Sequence, residues 1–233
     1  MDRRDFLQLC AVSCAAHALP AAGQTVRPRG YERALLVGSG GEPLKASALT
    51  PGRNYIFHYP YRTTPCFLLD LGRPTATDVA LRTEAGGEYR WPGGVGPRRS
   101  IVAYSAICPH RLTHPTRQIS FISYRDEAGG AEPRRGRVIH CCSEHSQYDP
   151  ASGSRVLGGP AAQPLAAIVL EHEAKSDTLA AVGTLGGEVF DRFFEQFGAR
   201  LALEHGDARP RRSAGPEAAV ALLEQYCRQQ VKC

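Results

Sequence analysis

The chain lacks a hydrophobic run long enough to cross a membrane as a helix. Its weakly apolar stretch, Phe6–Ala22, is 17 residues long and is interrupted by polar residues and a proline, whereas a spanning helix needs about 20 predominantly apolar residues. The chain also lacks a basic stripe interleaved with aromatic residues, which excludes the usual footprint of a nucleic-acid-binding protein. Its net charge of +5 is compatible with an acidic partner surface or with anionic headgroups.

The sequence also lacks the cysteine pattern of a disulfide-stapled protein. Its 8 cysteines are spread over 233 residues without a regular framework, and spacing alone does not define connectivity, so no bridge is assigned and the pairing of Cys66, Cys141, Cys227 and Cys233 stays open. The 24 glycines and 17 prolines make up about a sixth of the chain, which favours many turns between short strands. The length suits one well-buried domain with appendages rather than two full domains.

The first residues have the features of an export signal. The pair Arg3–Arg4 precedes the weakly apolar stretch and resembles a twin-arginine signal, with small residues for cleavage after Ala18 or Gly23. This route carries proteins already folded around a cofactor, so the expected location is the periplasm or the periplasmic face of the inner membrane. An uncleaved segment that acts as a membrane anchor and a disordered basic N-terminus are the alternatives.

Short apolar runs between glycine and proline turns predict a β-rich centre. The candidate strands are 34–37, 54–59, 66–71, 100–107, 119–124, 138–141, 167–172 and 178–182, and the last two form a hairpin. The pattern changes after Gly186–Gly187, where apolar residues recur at three- and four-residue spacing from Val189 to Leu201 and predict an amphipathic helix. A second helix is predicted from about Pro216 through Tyr226 to the end of the chain.

Two short segments near the middle of the chain each offer one thiolate and one imidazole. The first is Cys108-Pro109-His110, at the end of an apolar run, and the second is Cys142-Ser143-Glu144-His145. Two thiolates that bind one iron and two imidazoles that bind the other are the ligand set of a Rieske [2Fe–2S] centre. The C-x-H spacing of the first segment is tighter than the two- to four-residue gap that structural zinc modules usually have.

The block from Tyr104 to Leu165 resembles the cluster-binding region of the Rieske family. It contains Ser-Ala-Ile-Cys-x-His, then Cys-x-x-His, a serine, Tyr-Asp, Gly-Pro and Pro-Leu, and it covers about a quarter of the chain. The resemblance implies an all-β fold, a Rieske-type antiparallel β-sandwich with a two-loop cluster-binding subdomain, an N-terminal signal or anchor and C-terminal helices. It also implies the ligands, with two cysteines on the buried iron and two histidines on the outer iron that changes valence: Cys108, Cys142, His110 and His145.

The resemblance extends to two hydroxyl groups, with departures from the family pattern. In the family a serine and a tyrosine hydroxyl bond to cluster sulfurs, and Ser146 and Tyr148 are the candidates here. Tyr148 lies three residues after His145 where the family has four, and Ser146 is likewise one position early. Respiratory members carry a loop disulfide at the positions of Thr113 and Glu144, so that staple is expected to be absent.

The resemblance leads to a division of the chain into a signal or anchor over 1–23, a Rieske [2Fe–2S] domain over 24–185 and a helical extension over 186–233. We expect one-electron transfer without catalysis of its own, as a subunit or partner of an exported or membrane-associated oxidoreductase. The expected partner is a cytochrome or another oxidoreductase subunit, with quinol as an alternative, and no nucleic acid. Because imidazoles replace two thiolates, the potential should lie well above that of all-cysteine ferredoxins.

Two other functions use the same residues. A zinc-stabilised Cys₂His₂ binding module without a redox role would take the same four ligands. A Rieske component of an oxygenase system would need a separate mononuclear iron site with two histidines and one carboxylate. After His145 only His172 and His205 remain, and predicted strands and a helix separate them, which disfavours the oxygenase.

Overall fold

The computed structural model describes residues 25–126, 136–206 and 209–233. The predicted export signal, residues 1–23, lies outside the described residues. In chain order the strands are Arg29–Val37 (β1), Tyr55–His58 (β2), Pro65–Asp70 (β3), Val79–Arg82 (β4), Glu88–Trp91 (β5), Ile101–Ser105 (β6), Ile119–Ser120 (β7), Ile122–Arg125 (β8), Val138–Cys141 (β9), Ser146–Asp149 (β10), Arg155–Gly158 (β11), Ala167–Glu173 (β12), Thr178–Leu185 (β13), Glu217–Ala219 (β14), Ala221–Leu222 (β15) and Gln229–Gln230 (β16). The helices of the described part are Phe190–His205 (α1) and Leu223–Tyr226 (α2), and neither is long and apolar enough to cross a bilayer.

Eight strands form the larger sheet, in the order β14, β1, β13, β12, β6, β3, β2 and β15. All neighbouring pairs are antiparallel except β1 and β14, which run parallel. Strand β3, with the sequence Pro-Cys-Phe-Leu-Leu-Asp, is buried at every position because both of its faces are covered. The predominantly antiparallel strand content confirms the expected all-β class.

The two edges of the larger sheet are covered by one short segment of chain. Strand β14 pairs with β1 at one edge and β15 pairs with β2 at the other, yet only Val220 separates β14 from β15. Since adjacent Cα atoms are about 3.8 Å apart, the sheet must be curled until its edges nearly meet. The N–H of Val220 also donates to the carbonyl of Val37 at 2.8 Å, which anchors the crossing point.

Four strands form a second sheet, in the antiparallel order β11, β10, β9 and β8. Strands β4 and β5 form a two-stranded ribbon, and β7 and β16 form another. One hydrophobic cluster joins the two larger sheets, with Phe67 and Tyr104 from the first and Ile139 and Tyr148 from the second. The Tyr104 hydroxyl also donates to the carbonyl of Pro150 at 2.8 Å, so the two sheets are held in a fixed relation.

The two helix predictions for the C-terminal part have different outcomes. Helix α1 confirms the first, and it buries the apolar stripe Phe190, Phe193, Phe194 and Leu201. The second is wrong, because the chain from residue 217 forms β14, β15, the four-residue helix α2 and β16. The exposed edges of β1 and β2 offer backbone N–H and C=O partners, and pairing with them takes precedence over the helical pattern of the sequence.

One disulfide bond joins the C-terminal segment to the smaller sheet. Cys142, directly after β9, is bonded to Cys233, and their Cα atoms are 5.6 Å apart. The guanidinium of Arg125 donates to Sγ of Cys142 at 3.1 Å and to the carbonyl of Val231 at 2.9 Å. The sequence leaves the pairing of its cysteines open, since a pairing across 91 residues leaves no trace in local spacing.

Removal of this cross-link should destabilise the fold. A disulfide that closes a long loop stabilises mainly by restricting the unfolded chain, so we expect Cys233→Ser to lower the free energy of unfolding by about 2–4 kcal/mol. Urea denaturation without reductant measures the difference. With a phosphine reductant present, wild type and variant should unfold at the same urea concentration. A difference that persists under reduction would mean that residue 233 stabilises the fold by packing.

His58 should make the folded state sensitive to acid. Its ring lies 5.5 Å from the Tyr226 ring and 5.8 Å from the His205 ring, and burial lowers its pKa to about 3. The unfolded chain takes up a proton near pH 6.5 that the folded state accepts only near pH 3. Stability therefore falls as the pH decreases between these values. We expect His58→Gln to flatten this slope in urea unfolding between about pH 7 and pH 4.5, and equal slopes would contradict the assignment.

Candidate metal centre

The first loop leaves strand β6 and turns back on itself around Cys108. The N–H of Cys108 donates to the carbonyl of Thr113, and the N–H of Leu112 donates to the carbonyl of Cys108, both at 2.8 Å. Leu112 adopts the left-handed conformation with a φ of 57°, which closes the turn. Cys108 is buried as a result, with 1% of its surface exposed.

Helix α1 packs against this loop and fixes its position. Ile107 and Leu112 share a hydrophobic cluster with the buried face of the helix. The ring of His114 lies 4.8 Å from that of Phe193 in an edge-on contact, and the guanidinium of Arg192 donates to the carbonyl of Pro109. The aromatic stripe of α1 is therefore core packing, and the element that it supports is the first loop.

The second loop is the turn between β9 and β10 in the smaller sheet. In this hairpin Cys141 is opposite Ser146, and His140 is opposite Gln147. Because successive side chains of a strand point to opposite faces, Cys141, Ser146 and Tyr148 share one face while His140 lies on the other. Cys141, Ser146 and Tyr148 are all at most 1% exposed, so their face is the one that meets the core.

The two loops bring the thiols of Cys108 and Cys141 together, and both cysteines are free and buried. Their mutual interaction is the largest influence on each thiol, and it lowers the pKa of Cys108 and raises the pKa of Cys141. Burial opposes ionisation of both, whereas the backbone N–H of His110 favours the Cys108 thiolate and those of Ser143 and Glu144 favour the Cys141 thiolate. Ionisation of either sulfur therefore makes ionisation of the other harder, as expected for two thiols that interact at close range.

Three further polar groups belong to this site. The Tyr148 hydroxyl lies 3.2 Å from Sγ of Cys108, and the Ser146 hydroxyl is close enough to lower the pKa of Cys108 without forming a well-aligned hydrogen bond. Ser146 Oγ and His110 Nδ1 are buried without a hydrogen-bond partner among the described residues. Buried polar atoms without partners are uncommon in proteins and call for a physical explanation.

The second predicted histidine lies on the other face of the hairpin. His145 is exposed, has a left-handed φ of 59°, and its ring is 5.8 Å from that of His140. Ring nitrogens of His140 and His145 and the disulfide-bonded sulfur of Cys233 lie within 4.8 Å of one another. Among the described residues, the ring contact of His145 is with His140 and not with His110, the other predicted imidazole ligand.

The prediction of Cys142 as a metal ligand requires a correction. Its sulfur is bonded to Cys233, so it has no thiolate to offer a metal. The preceding residue Cys141, which the sequence predicts to be a plain strand residue, lies against Cys108 instead. The strand pleat separates the two neighbours, because it turns Cys141 toward the core and Cys142 toward the C-terminal segment.

A spacing in the sequence could have identified Cys141. In the Rieske pattern the serine and the tyrosine lie five and seven residues after the second ligand cysteine, and the histidine lies three after it. Counted from Cys141, Ser146 and Tyr148 stand at those positions. With Cys141 as the ligand, Ser146 and Tyr148 both match the family spacing. His145 then lies four residues after the ligand cysteine instead of three, so it is the residue that departs from the pattern.

The tips of the two loops are joined by an ion pair. Nη1 of Arg111 lies 3.0 Å from Oε1 of Glu144. Neither Thr113 nor Glu144, the positions expected to lack the loop disulfide, is a cysteine, and an electrostatic contact at Glu144 connects the loops. Thr113 contributes only its backbone carbonyl, as the acceptor for Cys108.

The donor set fits most of an iron–sulfur site. Cys108 and Cys141 supply two neighbouring thiol groups, nearby backbone N–H groups lower the pKa of both, and the buried Nδ1 of His110 has no partner among the described residues. Thiolates that accept backbone hydrogen bonds are typical cluster ligands. These residues fit the cysteine half of a Rieske-type cluster and one imidazole of the other half, while the His145 ring lies outside the set.

Comparison with known proteins finds a distant structural similarity and no matching family model. Among solved structures, the chain is similar to the soluble domain of the Rieske protein II (soxF) from Sulfolobus acidocaldarius, with 23% sequence identity and a TM-score of 0.46. The matched region covers 68% of this chain and 82% of that chain.

The ion pair between the loops should contribute a small, salt-dependent stabilisation. Both partners are partly exposed, so a double-mutant cycle with Arg111→Gln and Glu144→Gln should give a coupling of about 0.2–1 kcal/mol in urea unfolding at low salt. The coupling should shrink at about 1 M salt because charges are then screened within a few ångströms. A coupling of zero at low salt would contradict the assignment.

Proposed function

We propose that the protein transfers single electrons through a Rieske-type [2Fe–2S] cluster. The proposed ligands are two thiolates on one iron and two imidazoles on the other: Cys108, Cys141, His110 and His145. The observation that carries the proposal is that the buried thiols of Cys108 and Cys141 lie against each other, while Nδ1 of His110, two residues after Cys108, is buried without a partner among the described residues. When bound, such a cluster supplies one-electron redox chemistry at a potential above that of all-cysteine clusters.

The protein residues around the thiols have definite tasks in this proposal. Backbone N–H groups that point at the sulfurs stabilise thiolates over thiols, so they favour the charged form that binds metal. The Tyr148 hydroxyl, 3.2 Å from Sγ of Cys108, reduces the electron density on that sulfur by hydrogen bonding, which favours the reduced state of a bound cluster. The Ser146 hydroxyl has no partner among the described residues and is available for the same role.

His145 is the proposed second imidazole, although its ring contacts His140. It belongs to the same turn as the cysteine ligand, and its side chain is exposed, so rotation about its side-chain torsions costs little packing. Its position one residue beyond the family pattern implies an altered geometry at the outer iron. A change at an imidazole ligand of the outer iron would mainly affect the reduction potential of the cluster and the proton affinity of that imidazole.

The cellular setting follows from the redox role and from the twin-arginine-like N-terminus. We propose an exported or membrane-associated carrier that has no catalysis of its own, located in the periplasm or at the periplasmic face of the inner membrane. Its redox partner is a cytochrome or an oxidoreductase subunit, and quinol is the alternative donor. An imidazole on the outer iron has a second nitrogen that can exchange a proton, so such a site is suited to proton-coupled donors.

Metal analysis and spectroscopy of matched cysteine variants test the ligand set. The purified full chain should contain about two irons and two acid-labile sulfides per molecule and show a Rieske-type EPR signal after reduction with dithionite. Cys141→Ser should abolish both. Cys142→Ser and Cys233→Ser, which remove the disulfide alone, should retain both, because neither sulfur is a proposed ligand.

Two results would overturn this assignment in different ways. Retention of the cluster in Cys141→Ser with loss in Cys142→Ser would make Cys142 the ligand and would reject the disulfide as the resident state of that residue. A wild-type protein that carries zinc, contains no sulfide and has no EPR signal would reject electron transfer. That outcome would support the zinc-stabilised binding module instead.

A further inference from the structure

A cavity of about 310 Å³ lies between the end of helix α1, strand β2 and strand β14. Its lining is rich in side chains that carry or can carry positive charge, with a single carboxylate among them. The charged and titratable lining residues are His58, Arg62, Arg117, His205, Arg209 and Glu217. None of them belongs to the candidate metal centre.

In the described part of the chain, the positive charge of this cavity is only partly compensated. Among the described residues, neither Arg62 nor Arg117 lies within 4.0 Å of a carboxylate oxygen. Counting Glu217 fully against Arg209 still leaves the two charges of Arg62 and Arg117. Two uncompensated guanidinium groups at one concave surface attract anions.

Aromatic contacts hold one of these guanidinium groups in place. The guanidinium of Arg117 stacks over the ring of Tyr226 at 4.4 Å from its centroid. Tyr226 in turn packs on His58, with its hydroxyl 3.4 Å from Nε2 of that histidine. Arg62 lies on the turn after β2, and its backbone N–H donates to the carbonyl of Arg212 at 3.0 Å. A guanidinium that is already positioned loses less side-chain entropy on binding.

The two imidazoles of the cavity supply neutral donors and acceptors. Burial lowers the pKa of His58 to about 3 and also lowers the pKa of His205, so both rings are neutral at pH 7. Each neutral ring offers one N–H donor and one acceptor nitrogen. Two features oppose an anion: the C-terminal end of α1, with its partial negative charge, and the nearby Glu204. The latter is paired with Arg200 at 2.6 Å, which reduces its effect.

We propose that this cavity binds a small oxyanion of the phosphate or sulfate class, held by bidentate contacts from Arg62 and Arg117. The planar fork of a guanidinium matches two oxygens of a tetrahedral oxyanion. The volume is at the lower end of the range for small-ligand sites, about 300–1,000 Å³. A free phosphate ion and the phosphate of a lipid headgroup share this chemistry. Cluster binding at the metal centre is not required for this site.

Titration of the full chain with inorganic phosphate tests the proposal. At constant ionic strength, maintained with chloride, phosphate should raise the melting temperature in a saturable manner, and calorimetry should give one site. Arg62→Gln and Arg117→Gln should each weaken binding at least about tenfold, the loss expected for a charge-assisted contact. The exposed Arg155 of β11 lies outside the cavity lining, so Arg155→Gln is the matched control and should bind phosphate as the wild type does.

The outcomes separate the site from general ionic effects and from lipid binding. Absence of a phosphate effect beyond that of chloride, or equal effects in the wild type and both cavity variants, would overturn the proposal. Binding to vesicles that contain phosphatidic acid would identify a headgroup as the source if phosphate competes and the double variant Arg62→Gln/Arg117→Gln fails to bind. Vesicle binding that is unchanged in this double variant, together with no phosphate titration, would also overturn it.

Discussion

The contact between the thiols of Cys108 and Cys141 is the constraint on which the arrangement of this protein depends. Cys108 lies just after strand β6 of the larger sheet, and Cys141 is the last residue of strand β9 of the smaller sheet. The two sulfurs can meet only if the sheets keep a fixed separation, which the shared hydrophobic cluster and the Tyr104 contact provide. Helix α1 fixes the position of the first loop, because Ile107 and Leu112 pack in one hydrophobic cluster with Phe193.

The strand pleat gives two adjacent cysteines unrelated tasks. Cys141 faces the core, where Ser146 and Tyr148 lie on the same side of the hairpin, while Cys142 is bonded to the C-terminal segment. The neighbours of each sulfur reinforce the division, since the Cys141 sulfur interacts with Cys108 and Arg125 lies beside the Cys142 sulfur. One residue of sequence thus separates a candidate ligand from a structural cross-link.

Much of the fold could be predicted from local sequence, because short apolar runs between turns are strong signs of strands. The central strands and helix α1 followed from periodicity and turn residues. The C-terminal strands did not, since their formation depends on the unpaired edges of β1 and β2, which are more than 150 residues away in sequence. The first ligand loop could also be predicted from the sequence, because Cys108 and His110 lie in one short motif. The choice between Cys141 and Cys142 depends on which of the two side chains faces the core. The register of the β9–β10 hairpin decides this, and the C-x-x-H motif does not contain that information.

The segment from β14 to β15 has a consequence for the behaviour of the whole molecule in solution. A sheet edge exposes a row of unpaired N–H and C=O groups, which can template pairing with another chain. Here a few consecutive residues, Glu217–Leu222, cap both edges of the eight-stranded sheet at once. Detachment of this one segment would therefore uncover both edges together, so local unfolding there would expose two strands that can pair with other chains.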